Sequence, residues 1–283
     1  MKRIVLGTDG SRHAMDAAAF LGQLPLPPGT QVRVVCVVDS FVASVAGPRV
    51  LEQAEALVEE AAAAVRRPEI EVGWDLRQGD ADHQLIEDAE SFAADLLVVG
   101  SRGVTGLQEL VLGSVARSVV HHAHCPVLVA RSVQHELRTV LLAHDGSAHS
   151  DRAVEFVANL PLPAETEVSL VHVVRPLHPF TDISGFGDSH LYEALDAAQA
   201  ERREQGEAIL RAAAARLEAA GRRSTTEVLD GDPASVILSA AEGRKADLIV
   251  VGARGLSRIA KLLIGSVTDR LLNEAQGSLL VVH

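Results

Sequence analysis

A stretch near the start of the chain returns about halfway along it. Ile4–Ser11 reads IVLGTDGS and Val140–Ser147 reads VLLAHDGS. Leu24-Pro25-Leu26-Pro27 returns as Leu160-Pro161-Leu162-Pro163, at the same spacing of 136 residues. Asp95–Gly100 (DLLVVG) returns as Asp247–Gly252 (DLIVVG), now 152 residues later. Such self-similarity restricts the chain to two copies of one folding unit, and 283 residues are enough for two domains. The difference between the two spacings leaves the second copy sixteen residues longer, around Pro176–His190 and the longer helix expected after it. Ser132–Leu137 is the expected junction, which places one domain at 1–134 and the other at 135–283.

Within each copy, apolar runs alternate with helical stretches. In the first copy the runs are Ile4–Leu6, Val32–Val38, Ile70–Leu76, Leu96–Val99 and Val127–Val129. Several are unbroken Val/Ile/Leu segments, the pattern of parallel strands covered on both faces. Between them, Ala14, Ala17, Ala18 and Leu21 fall on one helical face, and Leu51–Arg67 is rich in helix formers. Asp80 and Asp232 stand at N-cap positions, and Pro233 suits a first helical turn. The expected fold is α/β: two tandem doubly wound domains, each a five-stranded parallel sheet with helices on both faces.

Composition narrows the function classes. Hydrophobic residues make up 47 % and charged residues 23 %, so the chain folds rather than staying disordered. A net charge of −12 argues against a nucleic-acid partner, which needs a basic surface. It leaves room for a small phosphorylated ligand held by backbone N–H groups. The two cysteines, Cys36 and Cys125, suggest no disulfide framework, and no apolar run is long enough to span a membrane. A cytoplasmic location is the expectation.

Two loops per copy carry chemistry. The first follows strand one: Asp9-Gly10-Ser11 and Asp145-Gly146-Ser147. The second follows strand four. Gly100-x2-Gly103-x9-Gly113-Ser114-Val115 recurs at identical spacing as Gly252-x2-Gly255-x9-Gly265-Ser266-Val267. Glycines at 100 and 103 allow close backbone approach. The last glycine opens a helix whose first N–H groups are unpaired and carry partial positive charge, a natural phosphate site. Arg102 and Arg254 add a candidate cation each. If both loops serve one ligand, strands one and four are neighbours, which implies the order 3-2-1-4-5.

With these motifs, both copies resemble universal stress proteins of the ATP-binding branch, over nearly the whole chain. The resemblance implies ATP as ligand, accompanied by Mg2+ held mainly through phosphates and water. It places Asp9 and Asp145 at the ribose, and the backbone of Val37 and Val173 at the adenine. Gly100, Gly103, Gly113, Ser114 and Val115 would surround ribose and phosphates, as would Gly252, Gly255, Gly265, Ser266 and Val267. The second copy departs from the first at His144, which replaces Thr8, and at Gly277-Ser278, which replaces Cys125-Pro126.

No Walker-type lysine loop is present, and neither a Ser-Gly-Gly nor a His-x-Gly-His loop of adenylating enzymes. The favoured reading is therefore a nucleotide-dependent stress-response switch without catalytic residues, read by a partner protein not identified by sequence. Slow ATP hydrolysis and a scaffold with incidental nucleotide binding are the other classes. His121, His122 and His124 read as helix-end residues rather than metal ligands. The apolar fifth strands, Val127–Val129 and Leu279–Val282, need covering, by pairing across domains and by further dimerisation.

Overall fold

The computed structural model describes residues 1–103, 112–131, 136–177, 189–255 and 264–283. Much of each x9 segment, the junction residues 132–135 and most of the Pro176–His190 insertion lie outside the described residues. The first half runs β1 (Arg3–Thr8), α1 (Arg12–Gln23), β2 (Gln31–Val38), α2 (Ser40–Ala46), α3 (Pro48–Val65), β3 (Glu71–Gln78), α4 (Ala81–Ser91), β4 (Leu96–Gly100), α5 (Ser114–His122) and β5 (Val127–Ala130). The second runs β6 (Thr139–Ala143), α6 (Ala148–Asn159), β7 (Glu167–Val174), α7 (Ser189–Ala219), β8 (Ser224–Asp230), α8 (Pro233–Gly243), β9 (Leu248–Gly252), α9 (Ser266–Glu274) and β10 (Ser278–Val282).

Each half has its strands parallel in the order 3-2-1-4-5, and the two halves join into one ten-stranded sheet, β3-β2-β1-β4-β5-β10-β9-β6-β7-β8. The join is antiparallel: Leu128 faces Leu280, with Val129 opposite Leu279 and Val127 opposite Val281. Leu128 and Leu280 are equivalent residues of the two copies, so a pseudo-two-fold axis passes between them. The strand pleat divides the core in two. Ile4, Leu6, Leu128, Leu142 and Leu280 pack on one face of the sheet. Val5, Leu97, Val129, Leu141 and Val281 pack on the other. Both cores run unbroken across the seam, whose six paired residues are at most 2 % exposed. Each such side chain contributes roughly 1.5–3 kcal/mol by leaving water.

The second copy's departure at Gly277-Ser278 has a place in this seam. The Arg131 N–H donates to Ser278 Oγ (3.0 Å), and the Arg131 guanidinium donates to the carbonyls of Gly277 (3.1 Å) and Leu272 (3.0 Å). The last of these caps the C-terminal end of α9. Burial, with the Arg102 charge, pushes the Arg131 pKa down to about 10, so it stays charged at neutral pH.

The cap positions follow the sequence with one difference. Ser11 and Ser147 cap α1 and α6 through the N–H groups of Ala14 and Ser150, and Asp232 caps α8 through Ser235. Asp80 occupies the N-cap of α4, but its side chain makes no capping bond. Cys36 is buried and Cys125 half-buried; burial pushes both thiols up to about 11. No helix among the described residues is long and apolar enough to cross a membrane.

Candidate functional site

The two loops of each half meet because β1 pairs with β4, and β6 with β9. They are then tied together by the capping serines. Ser11 Oγ donates to the Arg102 carbonyl (3.3 Å), and Ser147 Oγ to that of Arg254 (3.2 Å). Gly10 and Gly146 turn the chain with φ of +72° and +82°, a conformation that favours glycine. A Cβ at Gly10 would strike Leu57 of α3, and one at Gly146 would strike Ile209 of α7. That pair fixes the register between α3 and α7 at 152 residues.

Asp9 Oδ1 accepts the Ser11 N–H, and Asp145 Oδ1 that of Ser147, both at 3.0 Å. The second carboxylate oxygen reaches over the glycine loop. A Cβ on Gly103 would lie 2.6 Å from Asp9 Oδ2, and a Cβ on Gly255 would collide with Asp145 Oδ2. The first glycine of the motif has a different neighbour. A Cβ at Gly100 would lie 2.6 Å from the carbonyl of His13, and one at Gly252 would lie 2.7 Å from the His149 carbonyl carbon. The close approach at these two positions is made by the backbone of α1 and α6, not left open to a ligand.

The loop closes on itself. The Gly113 N–H donates to the Ser101 carbonyl (2.9 Å), and that of Gly265 to Ala253 (2.7 Å). Gly113 and Gly265 are the N-caps of α5 and α9 and, having no side chain, leave the first-turn N–H groups uncapped. Ser114 and Ser266 are exposed at the first helical position, and Val115 and Val267 are half-buried behind them. Ser101 Oγ is buried without a hydrogen-bond partner among the described residues.

In the second half these parts enclose a cavity of about 460 Å³. Asp145, Val173, Gly252, Arg254, Gly255, Gly265, Ser266 and Val267 all line it. So do His144, noted in the sequence only as the replacement for Thr8, and residues that sequence reasoning missed: His172, Arg175, Arg202, Gln205, Ile209 and Thr268 among them. Arg202, Gln205 and Ile209 share one face of α7, a helical spacing visible in sequence once the cavity is known. In the first half, Val37 packs against the core near the end of β2, and burial, with the nearby Arg102 charge, lowers the His13 pKa.

His144 is 4 % exposed, and its Nδ1 accepts the Gly146 N–H (3.1 Å). Thr8 Oγ1 takes the same bond from Gly10 (3.3 Å), so the substitution between copies keeps the turn. With Nδ1 accepting, the neutral ring carries its proton on Nε2, 3.5 Å from Asp151 Oδ1. Burial holds the His144 pKa below the ordinary range, against the pull of Asp151 and Asp145. His172 Nδ1 donates to the His144 carbonyl (2.8 Å). The three helix-end histidines diverge: His121 toward Asp269, His122 toward the Ser118 carbonyl, and His124 toward Glu90. Among the described residues no group of three His, Cys, Asp or Glu side chains is placed to hold a metal ion.

Comparison with known proteins agrees with this geometry. The profile of the universal stress protein family matches residues 1–131 and 136–283. A universal stress protein of Methanocaldococcus jannaschii is 33 % identical over 144 residues, 48 % of this chain and 85 % of its own. One from Thermus aquaticus is 35 % identical over 146 residues, 52 % and 98 % of the respective chains. A universal stress protein of Mycolicibacterium smegmatis is 30 % identical over 221 residues, 75 % of this chain and 69 % of its own. Among solved structures, a universal stress protein from Archaeoglobus fulgidus covers 99 % of this chain and 97 % of its own, with a TM-score of 0.68 at 22 % identity. A protein of unknown function from Pseudomonas aeruginosa covers 100 % of this chain and 92 % of its own, with a TM-score of 0.65 at 15 % identity; both bear on the fold alone. With its two matched segments, its doubly wound halves and its duplicated glycine loops, the chain belongs to the universal stress protein family.

Proposed function

We propose that each half binds ATP, with Mg2+ carried on the phosphates, and that the chain acts as a nucleotide-dependent switch or regulator in a stress response. The observation that carries this reading is the second-half cavity. It joins a carboxylate, Asp145, to a helix start whose N–H groups are left open by Gly265, within a volume suited to a nucleotide. In this arrangement the N-termini of α5 and α9, with Ser114 and Ser266, hold phosphate. Asp9 and Asp145 accept hydrogen bonds from the ribose hydroxyls, and Val37 and Val173 meet the base. Arg102 and Arg254 offset phosphate charge. The bound metal would neutralise phosphate charge, with its remaining positions filled by water.

No described residue forms a catalytic constellation around these loops, so binding rather than fast turnover is the proposed activity. Slow hydrolysis assisted by Asp9 or Asp145, or a scaffold with incidental nucleotide, are the competing readings. We further read the chain as a cytoplasmic homo-oligomer, a dimer, with a separate protein partner. The fifth strands of both halves are already paired within the chain. A dimer must therefore use another face, and α2 leaves Phe41 and Val45 exposed at 74 % and 70 %.

Mass spectrometry of nucleotide released from the purified protein tests the central reading. Two ATP per chain is the expected result. No released nucleotide and no binding of added ATP would remove it. ADP accumulating at about one per second or faster would replace the switch with an enzyme.

A further inference from the structure

The two sites differ in charge at positions that the structure shows to be equivalent. Arg175 follows β7 directly, where Asp39 follows β2. Arg202 lies on α7 where α3 has Val50, by the register that Leu57 and Ile209 establish over Gly10 and Gly146. The glycine loops each contribute one arginine, Arg102 and Arg254. The second site thus gathers three arginines where the first has one arginine, one valine and one aspartate. The Asp39 side chain is fixed in position, since its carboxylate accepts the N–H groups of Phe41 (2.8 Å) and Val42 (3.0 Å) at the start of α2.

Two of the second site's arginines, Arg175 and Arg202, are also held ready. Elsewhere on α7, Arg203 pairs with Asp230, Arg211 with Glu207 (3.5 Å) and Arg216 with Asp151 (2.7 Å). Arg202, the one that lines the cavity, makes no ion pair among the described residues, and neither does Arg175. Arg175 lies close enough to Asp232 to favour its charged form, but Arg270 already engages that carboxylate at 2.7 Å.

Position makes the difference specific. Arg254 belongs to the loop after β9, beside the open start of α9. Arg175 and Arg202 stand at the other side, at the end of β7 and on α7. Since β6 separates β7 from β9, the two sides lie about two strand spacings apart, roughly 10 Å. A ligand phosphorylated at one end satisfies only the glycine-loop side. We propose that the second site takes a nucleotide that carries a second phosphate on its ribose, apart from the 5′ end, while the first site does not select for the second anionic group. This rests on the nucleotide reading above and adds the ligand class of one of its two sites.

Calorimetric titration of the full chain with ATP, ADP and adenosine 3′,5′-bisphosphate tests it. The last two each carry two phosphates, differently placed. One of the two sites is expected to bind the bisphosphate roughly tenfold more tightly than ADP, the scale of two partly exposed ion pairs. The double variant R175D/R202V, which installs the first-copy residues, is expected to lose that preference and keep ATP binding at the other site. A thermal melt checks that it folds; if it does not, R175Q/R202Q gives the same comparison without a new charge. Equal affinity for the two ligands, or a preference that survives the variant, overturns the assignment and leaves nucleotide binding standing. No binding of any of the three overturns both.

Discussion

Arg117 and Asp269 occupy the same position in the two halves and face each other across the seam at 3.4 Å. Arg117 also donates to Asn273 Oδ1, and His121 Nε2 lies 3.6 Å from the same Asp269 carboxylate. At a true two-fold axis Arg117 and Asp269 would each meet their own copy, like charge against like charge. Asp269→Arg recreates that situation. Both side chains are near 40 % exposed, so the expected loss is about 1 kcal/mol, read from urea unfolding. The exchange R117D/D269R is expected to recover most of it. A double variant as weak as the single one would show that the pair contributes no complementarity.

His172 and Gly206 make a second matched pair. A Cβ on Gly206 would lie 2.6 Å from His172 Cδ2, and the ring is anchored through Nδ1. The first copy has the smaller Cys36 and the larger Ala54 at these positions, both buried. Gly206→Ala therefore overpacks the site and is expected to destabilise by roughly 1–2 kcal/mol despite better helix propensity. Adding His172→Cys should restore stability. Unfolding midpoints of the three proteins decide it.

The motif glycines divide into two roles. Gly100→Ala drives a methyl into the backbone of α1 and is expected to lower the melting temperature by several degrees, the effect of roughly 1–3 kcal/mol. Gly103→Ala meets only the Asp9 carboxylate, and should weaken nucleotide binding with a smaller change in melting. Melting and ATP titration measured on the same two variants test the division. Equal effects on stability would contradict it.

The neutral, buried His144 makes stability depend on pH. Its folded pKa is held below the ordinary 6.5 chiefly by burial. As pH falls below 6.5, the unfolded chain takes up a proton that the folded chain resists, so stability is full above that value and declines beneath it. His144→Thr installs the residue of the first copy, which takes the same turn hydrogen bond. Its stability difference between about pH 7.5 and pH 5.5 should be smaller than that of the parent. An unchanged difference would assign the dependence to other groups.

The fold and the glycine motif were legible because they depend on contiguous segments. Continuous apolar runs indicated parallel strands, and two loops required to share a ligand implied the order of the strands. The role of each glycine was not legible. Gly100 and Gly103 look alike in sequence, and only the position of α1 distinguishes them. Arg175, Arg202 and His172 escaped notice for another reason. They come from a strand end and a distant helix, on either side of an insertion that changes the repeat spacing from 136 to 152, so equivalence with the first copy needs the three-dimensional register. Likewise the seam partners of Arg117 and Arg131 lie more than 140 residues away.

The antiparallel join of β5 and β10 has a geometric consequence for whatever reads this protein. The ligand loops stand at the carboxyl ends of β1 and β4 in one half, and of β6 and β9 in the other. Strands that run in opposite directions send those ends to opposite rims of the sheet. The two sets of glycine loops therefore lie back to back, and one small molecule does not bridge them. A partner docking on a single rim touches the loops of one half only. Reporting on both takes either a partner that wraps around the sheet or a signal carried through the seam itself.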